Sequence, residues 1–189
     1  AAAVASDDGL SQLTFGRVAK RLGINDRIVV YYFPSKDDLI GDVLTVMGAR
    51  LQEALAPAFT TAVADHLELT RVAWPVLARP EADPVFALFF EASGLAAAGI
   101  EPYRTLMPQM IEAWIAWAAE LLSGTPSVRR AEAEASVALI DGLLLLRQLG
   151  GPAAADRAAA TIAGARRRRS RRARALARRC SAVRTPTVR

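Results

Sequence analysis

Residues that carry covalent and metal chemistry are scarce in this sequence. Cys180 is the only cysteine, which excludes an internal disulfide and favours a reducing compartment such as the cytoplasm. His66 is the only histidine, and no cluster of cysteine or acidic residues has metal-ligand spacing, so we predict neither a metal nor another cofactor. Nucleophile-elbow, P-loop and Rossmann glycine patterns are also missing. The sequence therefore predicts a protein that is not an enzyme.

Long hydrophobic runs are missing as well. The most apolar window, VALIDGLLLLRQLGG (137–151), is interrupted by Asp141 and Arg147 and is too short to cross a bilayer, so we expect no membrane partner. The start, AAAVASDDGL, has neither the basic segment nor the apolar core of a signal peptide. It begins with alanine instead of methionine, and we expect residues 1–8 to be the end of a helix whose start is absent.

Strand signals are weak, whereas helical ones recur along the chain. Alanine and leucine dominate, and no segment alternates apolar and polar residues in the manner of a half-buried strand. Each break between periodic segments contains proline or glycine, as helix ends require. We predict an all-α protein of about nine helices, with those after residue 8 near 14–22, 25–33, 35–57, 58–79, 84–97, 101–123, 127–149 and 153–165.

Charge is unevenly distributed. Residues 165–189 contain 11 of the 24 basic residues and no acidic residue. Residues 14–36 contain five basic residues against Asp26 alone, whereas residues 37–164 contain 8 basic and 16 acidic residues. A basic segment on an acidic body indicates that residues 14–36 contact an anion. For the arginine-rich tail three interpretations stay open: a solvated segment, added sequence-independent nucleic-acid affinity, or an irregular C-terminus unrelated to the fold.

Residues 14–33 have the pattern of a helix-turn-helix. Thr14 is a good N-cap, Gly23 suits the left-handed residue that ends a helix, and Asn25 caps a second short helix that Pro34 terminates. In this motif the N-terminal residues of the second helix enter the major groove of DNA. Side chains predicted to reach base edges are Asn25, Asp26, Arg27 and Val29. Arg27 suits a guanine edge and Val29 a thymine methyl group, although capping can occupy Asn25 instead.

Other residues of this segment are candidates for contact with phosphates: Thr14, Arg17, Tyr31, Tyr32 and Lys36. Two competing interpretations remain open. Tyr31 and Tyr32 can be core residues, and Arg17 can belong to a plain solvated face. We expect Ile24, Ile28 and Phe33 to pack the second helix against Phe15, Val18 and Leu22.

The run LTFGRVAKRLGINDRIVVYYFPSKDDLIGDVL (13–44) resembles the TetR family of bacterial transcription regulators. The resemblance implies an all-α homodimer with a helix-turn-helix DNA-binding domain over residues 1–48. It also implies a ligand-binding and dimerisation domain over 49–164, followed by the tail 165–189. One position departs from the pattern, because Val30 stands where the family usually has a tyrosine that contacts a phosphate. Tyr31 or Tyr32 takes that role, or the contact is lost.

The implied function is that of a sequence-specific DNA-binding transcriptional regulator. As a repressor it would bind a palindromic operator on double-stranded DNA and be released by a small apolar or amphipathic effector, which changes the spacing of two recognition helices. Two alternatives stay open. One is a helical ligand-binding dimer with weak or lost DNA recognition. The other is a non-specific nucleic-acid binder that acts through the tail.

Aromatic and methionine residues concentrate between positions 74 and 117, which is typical of a mostly apolar ligand pocket, although an ordinary core would use the same residues. The ligand-binding candidates are Trp74, Phe86, Phe89, Phe90, Tyr103, Met107, Met110, Trp114, Trp117 and Leu144. The segment 137–149 is apolar almost all round and, with the alanine-rich segment 153–165, favours a dimer interface. Its candidates are Val137, Ile140, Leu143, Leu146, Ala158 and Ile162. Glu91, Glu112 and Arg147 are possible polar anchors of the ligand.

Overall fold

A computed structural model describes residues 1–164, and that part of the chain is all-α, as predicted. Its nine α-helices are α1 (Ala2–Asp8), α2 (Phe15–Leu22), α3 (Asp26–Tyr32), α4 (Lys36–Leu55), α5 (His66–Leu77), α6 (Asp83–Ala97), α7 (Tyr103–Glu120), α8 (Pro126–Gly150) and α9 (from 152, helical to 164). None of the helices in this range is long and apolar enough to cross a membrane. The predictions made for the arginine-rich tail fall outside the described residues.

Side-chain caps set the ends of the N-terminal helices. The Thr14 hydroxyl accepts a hydrogen bond from the Arg17 amide, and the Asn25 side chain accepts one from the Arg27 amide at 2.9 Å. Between these helices Gly23 has φ 66°, a left-handed conformation that side chains with a Cβ disfavour. Ser35 and Asp38 form a reciprocal capping box at the start of α4. These local signals are the ones that the sequence analysis used, and the helix bounds in this part are confirmed to within two residues.

The predicted start of the helix over 58–79 is wrong, because its first third is not helical. A 3₁₀ turn at Ala56–Ala58 is followed by an irregular segment, in which Val63 pairs with the chain around Leu122 through two backbone hydrogen bonds of 2.9 Å. Helix α5 begins only at His66, because the Asp65 side chain caps it by accepting from the Glu68 amide. Asp65 is an N-cap residue visible in the sequence, and it marks the start of this helix.

Two apolar cores share helix α4. The first core joins α1, α2, α3 and the first half of α4 to Leu88 and Ala92 of α6 and to Tyr103 and Met107 of α7. The second lies between the end of α4 and helices α5 to α9. The boundary proposed at residue 48 therefore falls inside a continuous helix, and the N-terminal helices do not have a core to themselves.

A buried ion pair ties the end of α8 to the start of α6. The Arg147 guanidinium donates to both carboxylate oxygens of Asp83, over 2.6 and 2.9 Å, and its side chain is nearly fully buried. Gln148 adds a hydrogen bond to the Asp83 carbonyl. Because the planar guanidinium and the carboxylate match in shape, this pair fixes the orientation of the two helices. Arg147 is thus engaged structurally and does not line a ligand site.

Candidate functional site

Helix α3 presents most of its surface to solvent. All nine predicted DNA-contacting residues are exposed except Val29, which is 3 % exposed and belongs to the first core. Val29 therefore cannot pack on a thymine methyl group, and that assignment is wrong. The packing prediction for Ile24 and Ile28 is wrong for the same reason: Val29, not Ile28, anchors the helix, and Ile28 is 46 % exposed.

The helical repeat explains which side chains project furthest from the protein. Successive residues turn by about 100°, so positions two before and two after Val29 lie nearly opposite the buried face. Those positions are Arg27 and Tyr31, and Tyr31 is 82 % exposed. Ile28 and Tyr32 lie together on one flank, and the rings of Tyr31 and Tyr32 meet edge to face at 5.4 Å. Leu22, predicted to pack on α3, is exposed, whereas Phe33 packs against the core.

Polar groups surround this projecting face. Thr14 and Arg17 at the start of α2, and Lys36 at the start of α4, are exposed. Asp26 is exposed in the first turn of α3, where a negative charge is favourable to the helix dipole. Arg21, by contrast, is paired with Asp7 of α1 at 2.7 Å. The arrangement brings exposed basic, hydroxyl and apolar side chains to one end of the molecule, as a nucleic-acid surface requires.

A second candidate site is a partly open cavity of about 100 Å³ between helices α4 to α8. Its wall is almost wholly apolar, and Asp141 of α8 is the only ionisable side chain in it. The residues that α4 and the following turn contribute are Leu44, Met47, Gly48, Leu51, Leu55 and Phe59, and none of them was predicted from the sequence. Helix α4 therefore reaches from the exposed end of the molecule to the cavity.

Six of the ten predicted ligand residues line this cavity: Phe86, Phe89, Met110, Trp114, Trp117 and Leu144. The other four lie elsewhere. Tyr103 and Met107 are buried in the first core, and Phe90 packs against the second core outside the cavity wall. Trp74 donates its indole N–H to Asp156 of α9 at 3.0 Å, so its polar atom joins two helices.

The polar group of the cavity is Asp141, not one of the three suggested anchors. Glu91 accepts from the backbone of residues 10 and 11, Glu112 pairs with Arg130 on the surface, and Arg147 pairs with Asp83. Burial raises the pKa of Asp141 to about 6, because a carboxylate loses hydration among apolar side chains. Its signal in the sequence was an acidic residue within the apolar run 137–149, which was read only as an interruption.

The N-terminal helices are similar in sequence to a known protein family. Residues 1–43 match the sequence model of the bacterial regulatory proteins of the tetR family. The N-terminal domain is thus identified as a TetR-type domain. Such a domain supports a DNA-binding regulator, and the solved structures of similar fold are described as transcriptional regulators.

Solved structures extend the likeness in fold over most of the chain. A putative TetR-family regulator from Rhodococcus sp. superposes with a TM-score of 0.68 at 17% identity, over 87% of this chain and 90% of that one. A transcriptional regulator from Rhodococcus sp. Rha1 has a TM-score of 0.66 at 20% identity, over 86% and 89%. A putative transcriptional regulator from Saccharomonospora viridis, in complex with choline, has a TM-score of 0.62 at 18% identity, over 84% and 87%. No curated protein matches the sequence.

Helix α8 exposes an apolar stripe to solvent. Its members follow helical spacing on one face: Ala138, Gly142, Leu145, Leu146 and Leu149. Leu149 is 81 % exposed. Of the predicted dimer residues only Leu146 belongs to the stripe. Leu143 is buried within the protomer, so that assignment is wrong, whereas Val137 and Ile140 line the cavity, and Ala158 and Ile162 pack partly against the second core.

Proposed function

We propose that the chain is a cytoplasmic homodimeric repressor that binds a palindromic operator and leaves it when a small apolar or amphipathic effector fills the cavity. The observation that carries the proposal is the outward projection of Arg27 and Tyr31 from a helix held by Val29. A helix exposed in this manner can enter the major groove, whereas a helix with Arg27 packed inward could not.

The exposed face of α3 suggests separate roles for its residues. Arg27 is suited to donate two hydrogen bonds to a guanine edge, and Ile28 takes the thymine-contact role that the sequence had suggested for Val29. The Tyr31 hydroxyl, at the tip of the most exposed ring, is suited to a phosphate oxygen and replaces the contact that Val30 cannot make.

Phosphate contacts on either side of α3 complete the proposed interface. Lys36 provides a point charge at the start of α4, and Arg17 and the free amides near Thr14 provide further donors at the start of α2. Asn25 is occupied by its cap, and Asp26 on the far flank is suited to accept from a cytosine amine. The phosphate contacts position the protein on DNA, and only the base contacts of α3 read the sequence.

The exposed stripe on α8 supports the dimer. Its small residues, Ala138 and Gly142, permit close approach of a second helix, and the three leucines supply apolar area that is costly to leave in water. For operator binding, isologous pairing through this face has to place two copies of α3 on the same side, about 34–36 Å apart, to match successive major grooves. In this proposal residues 1–48 bind DNA and residues 49–164 bind effector and partner.

Coupling between cavity and DNA would pass through α4 and α6. The α4 residues Leu44 and Met47 line the cavity and also belong to the first core, which holds α3. On α6, Phe86 and Phe89 line the cavity, and Glu91 holds the turn between α1 and α2. A ligand that separates these walls would change the position of α3. The choline complex of the Saccharomonospora viridis protein is a precedent for a small ligand in this fold.

The test is selection of DNA fragments by the full chain and by a chain ending at residue 164. Fragments from around its own gene are expected to be enriched by both forms, in one palindromic sequence. Selection lost with the tail would favour a non-specific binder. Absence of any selection, together with ligand binding, would favour a ligand-binding dimer without DNA recognition.

A further inference from the structure

We infer that the effector is an organic cation, a small ammonium compound with an apolar body, held by Asp141 together with the aromatic side chains of the cavity. The inference rests on the proposed function, because it names the chemical class that the effector site accepts. The observation behind it is a single carboxylate, that of Asp141, in an otherwise almost wholly apolar cavity wall.

Asp141 has no partner within residues 1–164. Among the other charged groups of α8, Glu132 accepts from His66, Glu134 pairs with Arg130, and Arg147 pairs with Asp83. Arg129, whose Nε is buried without a hydrogen-bond partner among the described residues, lies more than three helical turns from Asp141 and does not line the cavity. No ionisable side chain from α4, α5, α6 or α7 lines the cavity. A partly buried carboxylate without a counter-ion is costly, and a bound cation would remove that cost. An anionic effector would raise it further, and a neutral one would leave it unchanged.

The ionisation of Asp141 is compatible with this role. Its pKa of about 6 leaves the side chain mostly charged at pH 7.5, so a negative charge faces the cavity when the site is empty. A cation that enters the cavity gains the full attraction without first removing a proton. The only other polar residue in the lining is Ser136, whose hydroxyl donates to the Glu132 carbonyl.

Aromatic rings that line the same cavity provide a second attraction for a cation. Trp114 and Trp117 meet edge to face with their centroids 5.4 Å apart, and Phe59 meets Trp117 at 6.4 Å. Perpendicular packing of this kind leaves ring faces available to a ligand. Ammonium groups bind such faces through the ring quadrupole, with tryptophan the strongest partner. A cavity lined by one carboxylate and two tryptophans therefore favours an ammonium head group over a neutral group of the same shape.

The experiment compares two molecules of equal shape that differ in charge. Phenyltrimethylammonium is the cationic probe and tert-butylbenzene its neutral isostere, and binding is followed by tryptophan fluorescence. The proteins are the wild type, Asp141→Asn and a matched control, Glu120→Gln, which removes an exposed carboxylate of α7 outside the cavity. Thermal melts establish that each variant is folded.

The wild type and Glu120→Gln are expected to bind the cation at least fivefold more tightly than the isostere. Asp141→Asn is expected to lose at least fivefold in cation affinity and to bind the isostere as the wild type does. Smaller differences, or no saturable binding of the cation up to millimolar concentration, would overturn the inference. Failure of DNA selection with Asp141-dependent cation binding would instead contradict only the proposed repressor function.

Discussion

The Glu91 carboxylate of α6 accepts a hydrogen bond from the backbone N–H of Leu10 at 2.9 Å and one from Ser11 at 3.0 Å. These bonds join the turn between α1 and α2 to a helix that lines the cavity. The turn has little room to change, since a Cβ on Gly9 would stand 3.2 Å from the Glu91 carboxylate and φ there is +84°. The Glu91 side chain therefore adds a polar link to the apolar core that already joins the N-terminal helices to α6.

Glu91→Gln is expected to destabilise the protein by about 1–3 kcal/mol, because one of the two backbone donors loses a charged acceptor. In the variant one backbone N–H faces the amide NH2 and has no acceptor, and the other keeps only a neutral oxygen. The substitution is also expected to reduce the change in operator affinity that an effector produces. Chemical denaturation and DNA-binding titrations with and without effector measure the two effects. Glu120→Gln serves as the control, and equal coupling in both variants would exclude a role for Glu91.

Arg27→Ala is expected to relax base preference at one operator position at a cost of about 1–3 kcal/mol. Lys36→Ala is expected to weaken all sequences alike and to reduce the salt slope of binding by about one. Competition binding with single-base operator variants at several salt concentrations distinguishes the two behaviours. Identical profiles for the two variants would contradict the assignment of base reading to α3.

Substitution of the neighbours Ile28 and Val29 should separate operator binding from stability. Val29→Ala is expected to lower the free energy of unfolding by about 1–3 kcal/mol, since it leaves a cavity in the first core. Ile28→Ala is expected to leave stability within about 0.5 kcal/mol and to weaken operator binding. Urea denaturation and operator titration of both variants provide the test. The reverse pattern would mean that α3 packs through its other face.

Asp141→Asn is expected to stabilise the unliganded protein in a pH-dependent manner. Since burial raises the pKa of Asp141 to about 6, the native state holds this proton more tightly than the unfolded chain does. Ionisation therefore costs stability above pH 6, and the cost disappears towards pH 4. The substitution should raise the free energy of unfolding by about 1–3 kcal/mol at pH 7.5 and by less than ~0.5 kcal/mol near pH 4. A gain independent of pH would contradict this account.

Leu145→Glu is expected to give a monomer, because it places a charge in the middle of the exposed stripe on α8. Val128→Glu, at the other end of the same helix and similarly exposed, is the matched control and should leave the dimer intact. Light scattering after size-exclusion chromatography measures the mass of each. A dimeric Leu145→Glu variant would place the interface on another face.

Local signals explain how much of this fold could be predicted. Caps at Thr14 and Asn25 and the left-handed Gly23 fix α2 and α3 from neighbouring residues alone, so their bounds were predictable. The orientation of α3 was not, because seven residues with three successive apolar side chains, Ile28 to Val30, contain no periodicity that distinguishes the buried face.

The cavity depended on contacts that sequence spacing does not contain. Its α6 and α7 residues stood out as a concentration of aromatic and methionine side chains. The α4 side consists of three leucines with Met47 and Gly48, which become lining only where five helices meet. Asp141 was visible as an exception in an apolar segment, but only the packed helices give it a function.

The length of helix α4 links the proposed effector site to the proposed DNA-binding surface. The helix is 20 residues long, so it spans about 30 Å, with Lys36 at one end and Leu55 at the other. A tilt of about 5° at the cavity would displace the far end by roughly 2–3 Å, comparable to the shifts by which packed helices switch states. Substitutions in α4 would therefore alter the proposed binding of effector and of operator together. Neither specificity could evolve through α4 residues without affecting the other.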